Sequence, residues 1–184
     1  MLIILVNKKR AVWTAVVIVV VICFAFLYKP YLKKFEYPLH RSGYVTKASQ
    51  KYGVDPYLVY SVMKAESKFN EDAISAKGAQ GLMQITPDTA EWAMDKMGIE
   101  GEIFDPEINI LVGSWYLSKL ISDYDGNLTA ALAAYNAGGS NVNKWMYKDR
   151  GLTLQDIQFK ETYDYVYKTL EYYKNYKKLY LKGE

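Results

Sequence analysis

The sequence predicts a mainly α-helical domain preceded by one N-terminal transmembrane helix. Beyond the first 43 residues, helix start and stop signals recur almost throughout, whereas strand signals are scarce. Three predicted helices start with a capping side chain followed by proline, at Asp55-Pro56, Thr86-Pro87 and Asp105-Pro106. Near the N-terminus, an apolar run of 18 residues has about the minimum length of a membrane-crossing helix.

The apolar run, Ala11 to Tyr28, is interpreted as a retained membrane anchor. The preceding residues 1–10 end on three basic side chains, which suits a cytoplasmic N-terminus. A cleaved signal peptide is the competing interpretation, but Val20 and Ile22 would occupy the small-residue positions before a cut near Cys23. We therefore expect a single-pass membrane protein whose domain lies on the extracytoplasmic side.

The domain is expected to occupy residues 44–184, after a connector of mixed charge at residues 29–43. Caps, prolines and glycines predict helices in this order: 42–52, 56 to about 68, 87 to near 98, from 106 onwards, 130–136, and from about 160 onwards. The last of these has apolar or aromatic side chains at alternating spacings of three and four, which is the helical period.

Composition and charge exclude several classes of protein. Leaving out the basic residues at 8–10, the chain carries 20 basic and 20 acidic residues, so it lacks the basic footprint of a nucleic-acid-binding protein. His40 is the only histidine, and Cys23 is the only cysteine. These two residues cannot form the usual cluster of nitrogen and sulfur metal ligands. Ser-His-Asp and Cys-His catalysis are disfavoured by the same shortage, because both need a well-placed imidazole. We expect neither a metal nor another cofactor.

Glu66 is the first candidate for chemistry. On the helix that starts at Pro56, Val59, Val62 and Met63 define an apolar stripe, and Glu66 is the next position on it. A carboxyl group on a buried face has a raised pKa, which a general acid needs near neutral pH. The alternative is that the stripe has ended and the Glu66 side chain lies in water.

The segment after this helix has the composition of a loop that builds a binding site. Gly78 and Gly81 allow the backbone to approach a ligand closely, and the amide of Gln84 can both donate and accept hydrogen bonds. The alternative is a tight turn closed by Leu82 and Met83 as a hydrophobic plug.

Four motifs occur in order: Glu66-Ser67, then GAQGLMQ at 78–84, then AYNAG at 134–138, then Glu161-Thr162 with Tyr165-Val166. This ordered set resembles the soluble lytic transglycosylase family, over roughly residues 44–173. The resemblance implies a lysozyme-like helical domain with a groove for the alternating amino-sugar strands of bacterial cell-wall peptidoglycan. It also implies that Glu66 is the catalytic acid.

The resemblance further implies substrate-binding positions around Glu66: Ser67, Met83, Gln84, Tyr135, Asn136, Glu161 and Tyr165. Ser67 would orient Glu66, and the others would line the groove. Three positions depart from the family pattern. Glu71 and Gly139 replace prolines that are usual in the family, and Tyr163 replaces an arginine.

The sequence offers no strong second carboxylate near Glu66, although most glycoside hydrolases use two. We therefore expect Glu66 to protonate the glycosidic oxygen and then, as a base, to activate the 6-hydroxyl of the same sugar. The product would be a 1,6-anhydro sugar. Two alternatives stay open: a goose-type lysozyme that delivers water to the same bond, and a membrane-anchored protein that binds glycan without cutting it.

Overall fold

The computed structural model describes residues 8–146 and 151–181, without the side chains of residues 8, 9, 25–27 and 29–31. The chain divides into two compact units. One comprises Met1–Pro38 with Gly183–Glu184, and the other comprises Leu39–Lys182. The predicted domain boundary at residue 44 falls inside the first helix of the second unit.

The first unit is built on α1 (Lys8–Glu36), a helix of 29 residues. The first part of the segment predicted as a connector, 29–43, is helical, because α1 continues through Pro30 to Glu36. A proline inside a helix removes one backbone hydrogen bond and crowds the carbonyl four residues earlier, which can kink a helix without ending it. Lys33 and Lys34 suit the negative end of the dipole of α1.

The predicted membrane anchor, residues 11–28, lies within α1. Among the residues that the structure describes, no helix is both long and apolar enough to cross a membrane. The anchor prediction rests partly on residues 25–27, whose side chains are outside the description, and most of the predicted cytoplasmic segment, residues 1–10, is outside it too.

The second unit is mainly α-helical, as predicted. Its helices are α2 (Ser42–Tyr52), α3 (Pro56–Glu66), α4 (Pro87–Met97), α5 (Pro106–Asp123), α6 (Leu128–Ala137), α7 (Gly139–Trp145) and α8 (Lys160–Tyr180), with a 3-10 turn at Leu154–Asp156. Between α3 and α4, isolated β-bridges join Gln80 to Ile74 and to Ile85.

The three predicted cap-and-proline starts are confirmed. The carboxylates of Asp55 and Asp105 and the hydroxyl of Thr86 each accept a hydrogen bond from a backbone N–H in the first turn of α3, α5 and α4 respectively. However, α3 ends at Glu66, two residues earlier than predicted, because Lys68 and Phe69 adopt positive φ angles of 52° and 67°.

The alanine-rich α6 lies at the centre of the second unit, against α5, α7 and α8. Residues 130–134 of α6 have no exposed surface. Small side chains on this helix allow its neighbours to approach closely. On another side of the unit, α3 packs along α8, which brings the C-terminal end of α3 to the N-terminal half of α8 and creates the site described below.

Candidate active site

Glu66 is the last residue of α3 and continues a stripe that is fully buried. Val59, Val62 and Met63 have no exposed surface, and the Glu66 side chain is itself partly buried. The loss of solvation raises the pKa of the Glu66 carboxyl from 4.5 to about 7. The structure therefore favours the buried placement of this carboxyl over the water-facing alternative.

Two half-buried tyrosines, with buried hydroxyls, lie beside Glu66. Burial, and then the charge of Glu66, raise the pKa of the Tyr135 and Tyr165 hydroxyls well above the ordinary value, so both are neutral donors near pH 7. The Tyr135 hydroxyl donates to the carbonyl of Met83 at 2.8 Å.

The Tyr165 hydroxyl interacts with the Glu66 carboxyl and lowers the Glu66 pKa, against the effect of burial. Among the described residues, however, this hydroxyl has no partner at full hydrogen-bond geometry. A buried donor without a geometrically good partner is held ready for a small movement of Glu66 or for a ligand oxygen.

Two cavities open next to Glu66, with volumes of about 380 Å³ and 320 Å³. Three residues line both cavities: Glu66, Asn136 and Glu161. Tyr165 lines the larger cavity, whereas Tyr135 and Gln84 line the smaller one. The carboxyl with the raised pKa is thus accessible from two adjoining spaces of the size that holds small ligands.

Asn136 is oriented by a buried threonine. The hydroxyl of Thr162 donates to Asn136 Oδ1 at 2.8 Å. Since the amide oxygen is the acceptor in this bond, the amide nitrogen of Asn136 keeps its two hydrogens available to a ligand. Thr162 is a neighbour of Glu161 on α8, so one turn of α8 places a carboxylate and orients an amide in the same site.

Gln84, unlike Asn136, leaves the oxygen of its side-chain amide available to the site. Its Nε2 donates to the carbonyls of Ala73 and Gly81, at 3.0 and 2.9 Å. These bonds use both amide hydrogens, so the amide oxygen is the group that remains for a ligand.

Asn109 organises the loop that carries Gln84, and sequence reasoning missed it. Its side chain has no exposed surface. Oδ1 accepts from the backbone N–H of Met83 at 2.7 Å, and Nδ2 donates to the carbonyls of Gln80 and Ile103, both at 2.9 Å. The available signal was a lone asparagine inside the apolar run INILV of α5, where a buried amide must find partners.

The sequence profile of the Transglycosylase SLT domain matches residues 43–157. The chain belongs to this family. The matched region contains Glu66, Gln84, Tyr135 and Asn136, whereas Glu161 and Tyr165 lie just beyond it.

Curated relatives of this SLT chain include two lytic murein transglycosylases. The membrane-bound lytic murein transglycosylase C of Sodalis glossinidius is 38% identical over 141 residues, which are 70% of this chain and 39% of that protein. The soluble lytic murein transglycosylase of Salmonella typhimurium is 31% identical over 146 residues, which are 74% of this chain and 23% of that protein. The SLT chain thus spans less than half the length of these relatives.

Solved structures share the SLT fold. An inactive mutant of the lytic transglycosylase Slt from Pseudomonas aeruginosa matches with a TM-score of 0.74 and 32% identity, over 79% of this chain and 25% of that one. The 70 kDa soluble lytic transglycosylase from Escherichia coli matches with a TM-score of 0.75 and 29% identity, over 83% and 26%. These likenesses confirm the mainly helical, lysozyme-like fold.

Two predicted substrate-binding residues of the SLT domain do not line the site. The side chain of Met83 has no exposed surface and packs against Gly113, where an added Cβ would lie 2.8 Å from Met83 Cβ. The Ser67 hydroxyl is buried and shares its single hydrogen between the carbonyls of Leu82 and Met63, at 2.9 and 3.2 Å. Met83 was predicted to line the sugar groove, but its side chain faces the core, and the Ser67 hydroxyl bonds to the backbone next to Glu66.

Two departures from the family pattern have local structural explanations. Arg41 donates to both carboxylate oxygens of Glu71, at 2.6 and 2.7 Å, which ties down the loop after Glu66 in place of a proline. Gly139 is the first residue of α7, a position at which proline is favoured but not required. In the described part of the chain, no three His, Cys, Asp or Glu side chains group closely enough to hold a metal ion.

Proposed function

We propose that this chain is a peptidoglycan lytic transglycosylase, which cleaves the bond between N-acetylmuramic acid and N-acetylglucosamine and leaves a 1,6-anhydro-muramic end. The observation that carries the proposal is the carboxyl of Glu66, which adjoins two cavities and has a pKa of about 7. Near neutral pH a large fraction of Glu66 is protonated, so it can donate a proton to the leaving oxygen. The names of the relatives support the same substrate.

In the proposed mechanism, protonated Glu66 gives its proton to the glycosidic oxygen as the bond to C1 of the muramic sugar breaks. The acetamido group of that sugar stabilises the positive charge that develops at C1. The carboxylate of Glu66 then removes the proton of the 6-hydroxyl, whose oxygen bonds to C1 and closes the anhydro ring. An internal nucleophile has an effective molarity on the order of 10⁵ M or more when aligned, so no second carboxylate is needed to activate water.

The binding residues would hold the sugars on both sides of Glu66. The free amide hydrogens of Asn136 suit the carbonyl oxygen of an acetamido group, and the free amide oxygen of Gln84 suits a hydroxyl or an N–H. Tyr165 would donate to Glu66 or to the sugar, while Tyr135 would support the backbone at Met83. Glu161 would contact substrate in both cavities.

Mass spectrometry of peptidoglycan digested by the full-length protein in detergent tests this reaction. We expect 1,6-anhydro products from the wild type and no products above background from Glu66→Gln. Glu100→Gln, an exposed substitution, is the matched control and should retain activity. Products with reducing ends and no anhydro species would instead assign a hydrolase of the goose-lysozyme type, and tight glycan binding without any product would assign a glycan-binding protein.

We also propose that residues 11–28 anchor the chain in the cell membrane as a single span, with the SLT domain on the cell-wall side. The apolar run, in which Thr14 is the one clearly polar residue, and the basic residues before it support this arrangement. Relatives whose names contain "membrane-bound" support membrane association. We expect the protein to stay in the membrane during carbonate extraction. Protease added from the extracytoplasmic side should degrade the domain. Release of the protein by carbonate would exclude the anchor.

A further inference from the structure

The larger cavity beside Glu66 is lined by more positively charged side chains than the smaller cavity. Three of its lining residues are lysines, Lys64, Lys68 and Lys168, which we call the lysine rim. The smaller cavity has one lysine, Lys77. One side of the catalytic carboxyl is therefore rich in cations, although the chain beyond residue 10 has equal numbers of basic and acidic residues.

The carboxyl groups of the same cavity do not cancel this charge. Asp164 accepts a hydrogen bond from Lys160, outside the cavity lining, at 2.6 Å. Glu66 is uncharged in the form that donates a proton. Glu161 is then the carboxylate that remains opposite the lysine rim, so the cavity carries net positive charge when it receives substrate.

The two exposed members of the rim are available to a ligand. Lys68 and Lys168 form no ion pair with any described carboxylate, and both side chains are exposed. Lys64 lies over the ring of Tyr172, with Nζ 5.1 Å from the ring centroid. This contact holds its charge against the wall of the cavity.

Lys68 occupies a costly backbone conformation two residues after Glu66. Its φ of 52° is in the left-handed region, which a glycine or asparagine would adopt with less strain. This conformation fixes the point from which the Lys68 side chain leaves the backbone, two residues after Glu66.

We propose that the lysine rim recognises free carboxylates on the glycan strand next to the bond that is cut, which rests on the function proposed above. Muramic acid differs from N-acetylglucosamine by a lactyl ether, whose carboxyl is either free or joined to a stem peptide with carboxylates of its own. Either source places negative charge on every second sugar. The rim therefore distinguishes peptidoglycan from a neutral polymer of the same amino sugar.

Binding measurements on full-length Glu66→Gln protein in detergent test this proposal, because strands stay intact in that background. The probes are strands with intact stems, strands with amidated stem carboxylates, peptide-free strands with free lactyl carboxylates, and a neutral N-acetylglucosamine oligomer. The variants are Lys68→Ala with Lys168→Ala, and Lys68→Arg with Lys168→Arg. The matched control is Lys178→Ala, an exposed lysine of α8 outside the cavity.

We expect the double alanine variant to raise Kd for carboxylate-bearing strands by about tenfold, or roughly threefold for each exposed lysine. The double arginine variant should bind within about twofold of the background, because it keeps the charge, and salt should reduce the difference. Strands with amidated stems carry no free carboxylate, so the double alanine variant should bind them like the background. An effect on strands with intact stems shows that the rim binds stem carboxylates, and an effect on peptide-free strands shows that it binds the lactyl carboxylate.

An equal loss of affinity for the neutral oligomer, or no change in Kd for any anionic strand, would overturn the lysine-rim proposal. Neither result depends on catalysis. An absence of cleavage by the wild-type protein would overturn the proposed function alone, so the two failures are distinguishable.

Discussion

At the scale of single residues, Glu66 combines a chemical benefit with a cost in stability. Burial raises the pKa of its carboxyl to about 7, so the folded state holds the proton more tightly than the unfolded chain does. The stabilisation from this proton is complete below the unfolded-state pKa near 4.5 and is lost as the pH rises through about 7. Above that pH the fold contains a poorly solvated charge.

Replacement of Glu66 by glutamine should consequently stabilise the protein at alkaline pH. We expect the free energy of unfolding of Glu66→Gln to exceed that of the wild type by about 1–3 kcal/mol at pH 8, and by much less at pH 5. Urea unfolding followed by tryptophan fluorescence at the two pH values measures this difference. The exposed control Glu100→Gln should show no such change between pH 5 and pH 8. A Glu66→Gln variant that is less stable at pH 8 would contradict the buried charge.

Removal of the Tyr165 hydroxyl should raise the pKa of Glu66 further, because this hydroxyl stabilises the carboxylate. In Tyr165→Phe, the loss of kcat/KM with rising pH should therefore move to higher pH than in the wild type. The pH profile of glycan cleavage measures the midpoint. Tyr163→Phe, on the exposed face of the same helix, should keep the wild-type midpoint. An unchanged midpoint in Tyr165→Phe would show that the hydroxyl does not act on the carboxylate, and a shift toward lower pH would show that it favours the protonated form instead.

The residues of the candidate site could be predicted from the sequence to different degrees. Glu66, Asn136 and Glu161 were predicted from motifs, and the structure brings them together around the two cavities. Met83 belongs to the same motifs, but strand-like and turn backbone between 80 and 85 points its side chain into the core. Whether a motif residue faces the ligand or the core depends on distant contacts. Here the backbone N–H of Met83 donates to Asn109, which lies 26 positions later in the sequence.

At the scale of elements, helix starts were predicted well because each depends on a local signal. An Asp or Thr cap followed by proline needs no distant partner to define the first turn. Two short elements were missed, α7 and the 3-10 turn at Leu154–Asp156. Gly138 and Gly139 together predict the end of a helix. Gly138 does end α6, where its backbone N–H donates to the carbonyl of Ala134, but Gly139 is already the first residue of α7. The extension of α1 through Pro30 was missed for the opposite reason, since proline predicts an end that the helix does not have.

The loop between α3 and α4 offers a matched test of steric packing. Gly81 and Gly78 have nearly equal φ angles, 75° and 78°. A Cβ at Gly81 would lie 2.8 Å from Cγ of Asn109, whereas a Cβ at Gly78 would meet nothing within 4 Å. Both substitutions to alanine incur the strain of positive φ, about 1 kcal/mol, but only Gly81→Ala also displaces Asn109.

We therefore expect Gly81→Ala to destabilise the protein by about 2–4 kcal/mol more than Gly78→Ala, since the displaced amide leaves buried backbone groups without partners. Urea unfolding measures the difference, and glycan cleavage should fall with Gly81→Ala because Gln84 bonds to the Gly81 carbonyl. Equal destabilisation by the two substitutions would mean that Asn109 can move at no cost.

At the scale of the whole molecule, the site belongs to the unit Leu39–Lys182 alone. Every residue that lines the two cavities lies in this unit, and so do the buried side chains of α2 to α8. The family match, residues 43–157, also falls entirely inside it. The unit has 144 residues, a size at which a single hydrophobic core is normally sufficient for stability. Folding and chemistry are thus expected to be independent of α1, and only location should depend on it.

A shortened chain that begins at Leu39 tests whether α1 contributes to folding and cleavage or only to location. We expect it to unfold cooperatively, to retain the helical circular dichroism of α2 to α8, and to cleave soluble glycan strands within about twofold of the full-length kcat/KM, because the cavities and their lining are unchanged. In cells it should move from the membrane pellet to the soluble fraction, since residues 11–28 are the proposed anchor. The matched control is the full-length chain carrying Glu66→Gln, which should stay in the membrane and lose cleavage. A chain from Leu39 that is unfolded, or folded but inactive on soluble strands, would show that the N-terminal unit contributes to the domain itself.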